Sequence, residues 1–303
     1  MKGHHGGKLP RLSVVRVEDV PIKEVSGVCL RRDADGVMAL VAIGDRAATA
    51  AWVVLPADDG GPLSWQVADL TGLPDAQLPA QDPQLEAVCA DGAGRVLLLQ
   101  ETPPRAVLID PSSRTVIATI DLVIAGGHPL ADAWNDPDGS QGEGVVLLAN
   151  GHLLIAKEKD PAAFIEFGPA GDAASGVVEG AVLADGVAWP IPTGGQTFVP
   201  LATWMPDAGL AATCRDFSDL EVGPDGRLYV LSDKSASLAR LDPLGPGGGG
   251  ATAETAWDLG KLAGKPEGLA FTPNGRAIVA LDTTKARANI LLFEPPVATS
   301  DPG

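Results

Sequence analysis

Acidic residues recur at two fixed places in a phrase that the chain repeats five times. Four copies open on an acid, the first opens on a serine, and in the last four a second acid follows 14 or 15 residues later. The opening residues are Ser26, Glu86, Glu143, Asp219 and Glu267, and the second acids are Asp45, Glu101, Glu158, Asp233 and Asp282. If the copies are arranged around an axis, these carboxylates converge, which predicts an oxygen-rich binding site.

A divalent cation is the simplest compensation for such a cluster, because like charges raise one another's pKa and cannot all stay ionised. We predict that one cation is bound by the four opening acids, Glu86, Glu143, Asp219 and Glu267. Oxygen ligands without histidine or cysteine favour Ca²⁺, with Mg²⁺ or Mn²⁺ as alternatives. The competing interpretation is a charge network with neighbouring bases, such as Arg46 beside Asp45.

A metal in this position predicts a hydrolase of an ester, lactone or phosphoester, because the ion polarises the reacting bond and lowers the pKa of a bound water. A carboxylate outside the ligand set, Glu158 or Asp233, would accept the proton. Lys157, Lys159 or Lys234 would lie near the developing negative charge. The alternative is a non-catalytic protein with structural Ca²⁺, whose acidic face binds a small ligand or a protein partner.

Composition excludes several other functions. The net charge of −17 disfavours nucleic acid and anionic membranes as partners, because both require concentrated Lys and Arg. The sequence contains no GxSxG elbow, HExxH motif, P-loop or dinucleotide fingerprint. Three scattered cysteines predict buried, reduced thiols. Without an apolar leader or a span of about 20 apolar residues, we expect a cytoplasmic protein.

Each copy of the phrase contains three short apolar runs, and an Asp-Gly or Asn-Gly turn separates the first two. This pattern predicts antiparallel strands joined by tight turns. A fourth apolar run, such as residues 63–70, precedes the next copy in most intervals. Four-stranded units repeated around an axis are typical of an all-β β-propeller. Five copies predict five blades, with six as the alternative because 76 residues separate Glu143 from Asp219.

The last copy lacks a fourth strand, and an unassigned apolar run at Leu12–Val20 precedes the first copy. We therefore predict that the N-terminal strand pairs in the C-terminal blade and closes the ring. Residues 1–303 would form one domain, with flexible tails at 1–10 and 297–303.

This geometry brings the opening residues to one mouth of the central channel, with Ser26 in the place of the missing acid. Asp45, Glu101, Asp282 and the other second acids would lie just outside them. We expect residues 132–143 and 170–216 to wall a pocket on this face. Trp134, Trp189 and Trp204 would either supply apolar surface to it or pack in the core. His152 follows an Asn-Gly turn and is predicted to be solvated.

Three phrases of the second half resemble those of the SdiA-regulated β-propeller family: LLIAKEKDPAAFIEF, FSDLEVGPDGRLYVLSD and KPEGLAF. More distantly, the Glu-Gly phrases are similar to those of the esterase-like phytase and SMP-30/gluconolactonase propellers. The resemblance implies a propeller fold. The last of these families also implies a catalytic divalent metal at the channel mouth, with Glu86, Glu143, Asp219 and Glu267 in the comparable places.

Overall fold

The computed structural model describes residues 8–33, 35–55, 63–73, 75–79, 81–136, 140–191 and 194–296. These residues form strands and two short helices, α1 (Ala131–Asn135) and α2 (Ala208–Thr213). The strands are β1 (Val14–Glu18), β2 (Val25–Arg32), β3 (Met38–Gly44), β4 (Thr49–Val54), β5 (Gln66–Asp69), β6 (Leu85–Ala90), β7 (Val96–Gln100), β8 (Arg105–Asp110), β9 (Thr115–Leu122), β10 (Gly142–Leu147), β11 (Leu153–Lys157), β12 (Ala163–Pro169), β13 (Gly194–Pro206), β14 (Asp219–Val222), β15 (Leu228–Ser232), β16 (Ser237–Leu241), β17 (Gly249–Ala251), β18 (Ala253–Asp258), β19 (Pro266–Phe271), β20 (Ala277–Leu281) and β21 (Ile290–Phe293). In the described part of the chain, no helix is long and apolar enough to cross a membrane.

The predicted turns join the first two strands of each copy. The turn glycine has a positive φ in every copy, for example 77° at Gly94 and 73° at Gly226. Residues with a Cβ rarely adopt this conformation, which explains why glycine recurs here. In the β6–β7 turn, the Asp91 carboxylate also accepts hydrogen bonds from the backbone N–H groups of Ala93 and Arg95, at 3.0 and 2.9 Å.

The strands form three separate four-stranded sheets and one nine-stranded sheet in the described residues. The separate sheets have the orders β2-β3-β4-β5, β14-β15-β16-β18 and β1-β21-β20-β19. The nine-stranded sheet contains two further units of the same kind, β6 to β9 and β10 to β13, and β17 at its side. The two units join because β13 pairs in parallel with β9.

The first strands of the five copies surround one axis. Strand β2 contacts β6, β6 contacts β10, β10 contacts β14, β14 contacts β19, and β19 returns to contact β2. Strand β1 pairs antiparallel with β21, so the N-terminal strand completes the C-terminal sheet as predicted. The fold is therefore an all-β propeller closed by its N-terminal strand. The count of five separate blades stays a prediction, because the β9–β13 pairing merges two units.

Small aliphatic side chains fill the space between neighbouring sheets. Trp134, Trp189 and Trp204, for which a pocket wall and core packing were the two predictions, are each 1% exposed and belong to this core. The alternative of packing in the core is therefore the one observed, and the indole N–H groups donate to backbone carbonyls inside the protein. The predicted tail at 297–303 and residues 1–7 of the N-terminal tail lie outside the described residues.

Candidate functional site

The opening residue of the phrase lies on a β-bulge in four of the five first strands. In β6, Leu85 pairs with Gln100 and Ala87 pairs with Leu99, so Glu86 is the extra residue between them. The same register shift surrounds Ser26, Glu143 and Glu267. A bulge interrupts the alternation of side chains and re-aims the extra residue. The repeat therefore places one re-aimed side chain at the start of each of these strands.

Strand β14 departs from this pattern, and the prediction for Asp219 has to be corrected. Asp219 pairs directly with Leu231, in the register position that Gly268 has opposite Ala280 in β19. Ser218 is thus the equivalent of the opening acids. Its hydroxyl donates to the Pro266 carbonyl at 2.7 Å, just as the Ser26 hydroxyl donates to the Leu85 carbonyl at 2.5 Å.

The five equivalent residues are therefore Ser26, Glu86, Glu143, Ser218 and Glu267, which we call the opening ring. It has three acids, where the sequence predicted four. The end of the channel that carries it is called the acidic mouth. The one-residue difference was visible in the sequence, because Asp219 precedes Asp233 by 14 residues while Ser218 precedes it by 15.

Asp219 joins two first strands and is not a free ligand. Its carboxylate accepts the backbone N–H of Leu220 at 2.7 Å and that of Leu269, in β19, at 2.6 Å. Burial raises the pKa of Asp219 well above its ordinary value, and the two hydrogen bonds oppose this increase. Both oxygens are already used, so the contacts of Asp219 support a structural role.

The three ring glutamates influence one another strongly. Burial, and then the charges of neighbouring acids, raise the pKa of Glu86 and of Glu143 well above the ordinary value of 4.5. Glu86 and Glu267 are the acids that contribute most to the effect on Glu143. Burial raises the pKa of Glu267 to about 8, although Lys265 lies 3.0 Å from its carboxylate and lowers it. Protons or cations must therefore compensate this ring near neutral pH.

Most of the predicted outer acids have partners in the protein. Arg46 lies 2.9 Å from Asp45, Lys159 pairs with Glu158, and Lys265 bridges Asp282 and Glu267. Glu101 accepts the backbone N–H of Gln141 at 3.0 Å. The competing interpretation of a charge network thus describes much of the outer ring.

Asp233 differs from the other outer acids. Its carboxylate has no hydrogen bond or ion pair within 4 Å from any described residue. Burial raises its pKa, with smaller contributions from the charges of Asp216 and Glu158, and Lys265 lowers it. Asp233 also raises the pKa of Glu267, so the two groups are electrostatically linked.

The predicted lysines take different positions. Lys157 is 1% exposed, and its ammonium group donates to the carbonyl of Lys159 at 2.5 Å. Burial lowers the pKa of Lys157. Lys159 forms an ion pair with Glu158, and the Lys234 side chain is exposed. Of the three, Lys157 is the one held rigidly beside the outer ring.

The predicted metal ligands do not form a ready-made ion site. Within the described residues, no group of three or more His, Cys, Asp or Glu side chains is arranged to hold a metal ion. Asp219 is bound by backbone N–H groups, and Glu267 is bound by Lys265. Glu86 and Glu143 remain without a hydrogen-bond donor among the residues that the structure describes. A metal ion would have to draw the three ring glutamates together.

The sequence analysis missed a buried polar network around His152. This residue was expected to be solvated, but it is 3% exposed, and its Nδ1 lies 2.6 Å from the fully buried carboxylate of Glu166. Glu166 also accepts the backbone N–H groups of Ser175 and Gly176 at 2.9 Å. The network fixes the start of the long excursion after β12. The sequence contained one indication of this network, because Glu166 is a single charged residue within the apolar run of β12.

Comparisons with known proteins do not assign the chain to a family. Neither a protein-family model nor a curated protein matches the chain, so the resemblance to the SdiA-regulated family stays a prediction. Among solved structures, glutaminyl cyclase of Myxococcus xanthus is similar at 14% identity and TM-score 0.47, covering 95% of this chain and 98% of that one. Aldose sugar dehydrogenase of Streptomyces coelicolor has 12% identity and TM-score 0.47, with coverages of 93% and 97%. These scores carry no inference about activity.

Proposed function

We propose that the acidic mouth is a cation-binding site, with Ca²⁺ as the first candidate and Mg²⁺ or Mn²⁺ as alternatives. The observation that carries the proposal is the state of Glu86 and Glu143. Both carboxylates are desolvated, the charges of neighbouring acids raise the pKa of each, and neither has a hydrogen-bond donor among the described residues. A cation between them would remove the repulsion, and carboxylate oxygens suit hard divalent ions.

The site is expected to close on the ion, because the glutamates are not yet arranged as ligands. Glutamate side chains have three rotatable bonds, and each of these starts from a different first strand. The cation competes with protons for the same oxygens, so its affinity should increase with pH.

Calorimetric titration of the protein with CaCl₂ at pH 6 and pH 8 tests the proposal. Wild type should bind one Ca²⁺, more tightly at pH 8, and Glu143→Gln should weaken binding at least tenfold. Glu179→Gln removes an exposed carboxylate outside the ring and is the matched control. No binding by wild type, or equal affinity in Glu143→Gln and Glu179→Gln, would refute the proposal.

A second candidate function is hydrolysis of an ester, lactone or phosphoester at the same mouth. The specific observation is the link between Glu267, whose pKa is about 8, and Asp233, which has no partner among the described residues. A carboxylic acid that is still protonated at neutral pH can donate a proton to a leaving group. A nearby ionised carboxylate can accept one from water. Asp233 fits this second role better than Glu158, which is paired with Lys159.

Hydrolysis is tested with a panel of aryl esters, lactones and phosphoesters. If the proposal is right, Asp233→Asn lowers kcat by about 10²-fold or more with a small change in KM. Asp225→Asn removes a partly exposed carboxylate in the β14–β15 turn and should leave kcat unchanged. Activity that survives Asp233→Asn intact would exclude this residue as the base, and absence of turnover across the panel would favour the non-catalytic alternative.

A further inference from the structure

The channel has a second opening at the far ends of the first strands. A cavity of about 390 Å³ lies there, and we call this end the distal mouth. Residues of all five first strands line it, namely Cys29, Cys89, Leu147, Glu221 and Phe271. Along β10, Leu147 follows Glu143 at the acidic mouth by four positions, which corresponds to about 13 Å of strand. The two mouths are therefore distinct places in the molecule.

The excursion after β12 covers one side of this cavity. Residues 182–186 line it, and Leu183 donates its backbone N–H to the Leu147 carbonyl at 3.1 Å. Gly92 donates to the Val187 carbonyl at 2.9 Å, and a Cβ on Gly92 would lie 2.2 Å from the backbone nitrogen of Val187. The excursion was predicted to wall a pocket at the acidic mouth, and this part of it lies at the distal one.

The distal mouth presents polar and apolar surface in about equal parts, and its charged lining residues are Arg32, Asp91, Asp185 and Glu221. Glu221 accepts the backbone N–H of Val222 at 2.7 Å and has no ion pair with any described residue. Asp91, the other inward acid, is already neutralised by Arg95 at 2.5 Å. Burial raises the pKa of Glu221 to about 7. A ligand that supplies a positive charge would therefore be stabilised by this carboxylate.

Both lining cysteines are free and buried. Burial, followed by the charges of Glu221 and neighbouring acids, raises the pKa of the Cys29 thiol well above its ordinary value, so the thiol is neutral at physiological pH. The pKa of Cys89 is raised in the same way, mainly by burial. The thiols thus add weakly polar surface without charge, beside Val145, Leu147 and Phe271.

We propose that the distal mouth binds a small organic amine, whose ammonium group pairs with Glu221 and whose apolar part packs against Val145, Leu147 and Phe271. The volume falls within the range of roughly 300–1,000 Å³ that is usual for small-molecule sites. An amine with an apolar body would use both the Glu221 carboxylate and the apolar part of the lining. This ligand is separate from the cation proposed for the acidic mouth.

The test uses benzylamine as the probe, with benzyl alcohol as a neutral analogue of similar shape. Calorimetry at pH 8 should show binding of benzylamine to wild type and much weaker binding of benzyl alcohol. Glu221→Gln should weaken benzylamine binding about tenfold or more, since a hydrogen bond to a charged group contributes that much. Glu179→Gln removes an exposed carboxylate outside both mouths and should leave the affinity unchanged. Glu143→Gln tests the acidic mouth as the alternative site.

A loss in Glu143→Gln instead would place the amine at the acidic mouth and overturn the proposal. Equal affinity in Glu221→Gln, or no binding by wild type, would overturn it as well. Crystals of wild type soaked with 4-bromobenzylamine give a result that needs no variant, because anomalous scattering locates the bromine. A bromine peak beside Leu147 and Phe271 is expected, and its occurrence elsewhere alone would contradict the assignment.

Discussion

Replacement of Glu267 by glutamine should change how the stability of the protein depends on pH. The ordinary pKa of the glutamate is 4.5, which applies to the unfolded chain, and the folded value is about 8. Between these values the folded state holds more protons than the unfolded one, so the free energy of unfolding falls as pH rises. Glutamine cannot be ionised and should remove this dependence.

The size of the effect follows from the same two values. One proton contributes a slope of about 1.4 kcal/mol per pH unit, so the interval from 4.5 to about 8 gives an upper limit of roughly 5 kcal/mol. The measured effect should be smaller, because the charge of Glu267 raises the pKa of Glu86 and Glu143 and the three groups therefore do not titrate independently. Lys265 adds no slope here, since the charges of Glu267 and Asp282 raise its pKa and it stays charged in both states.

Urea denaturation at pH 5, 6.5 and 8 in Ca²⁺-free buffer provides the assay. The free energy of unfolding of Glu267→Gln, relative to wild type, should rise by about 2 kcal/mol or more from pH 5 to pH 8. His128, whose pKa is lowered by burial, contributes equally to both proteins and cancels in the difference. A constant difference across this range, or one that falls with pH, would refute the reasoning about the ring.

Three further predictions concern the structure around the two mouths. Asp219→Ala should lower the free energy of unfolding in urea by about 1–3 kcal/mol, because the backbone N–H of Leu269 loses its acceptor. The Ca²⁺ affinity should stay within twofold of wild type, and a large loss of affinity would show that Asp219 is a ligand after all. Glu166→Ala should lower the free energy of unfolding by roughly 3 kcal/mol or more, because His152, Ser175 and Gly176 lose their common acceptor. An unchanged melting temperature would contradict the importance of this network. Deletion of residues 1–18 removes β1 and exposes the edge of β21, so the truncated chain should aggregate or lose cooperative unfolding. A monomeric truncated chain with wild-type stability would show that ring closure by β1 is dispensable.

The sequence predicted the fold well because its signals are local and repeated. Asp-Gly and Asn-Gly turns mark the hairpins, and the missing last strand correctly predicted that residues before the first copy close the ring. The excursion after β12 was not predictable in the same way. Strand β13 pairs with β12 and also with the distant strands β9 and β17, and no local pattern specifies those partners.

The opening ring shows where alignment by residue type fails. Asp219 was aligned with the glutamates because it is acidic, but backbone register places Ser218 there. The β-bulges change the direction of the Glu86, Glu143 and Glu267 side chains. They depend on pairing between strands, so the sequence of one strand does not reveal them. The tryptophans illustrate the same limit, since composition does not distinguish a pocket wall from the interior of a core.

Direct measurement of the glutamate carboxyl pKa values tests the central claim, that the ring binds a cation in place of protons. Wild type labelled with ¹³C at the glutamate carboxyl carbon can be titrated by NMR with and without Ca²⁺, and Glu267→Gln and Glu143→Gln assign the resonances. Without Ca²⁺, the Glu267 signal should titrate near pH 8 and the Glu143 signal well above 4.5, and Ca²⁺ should lower both. Titration of both near 4.5, or values that Ca²⁺ leaves unchanged, would contradict the account.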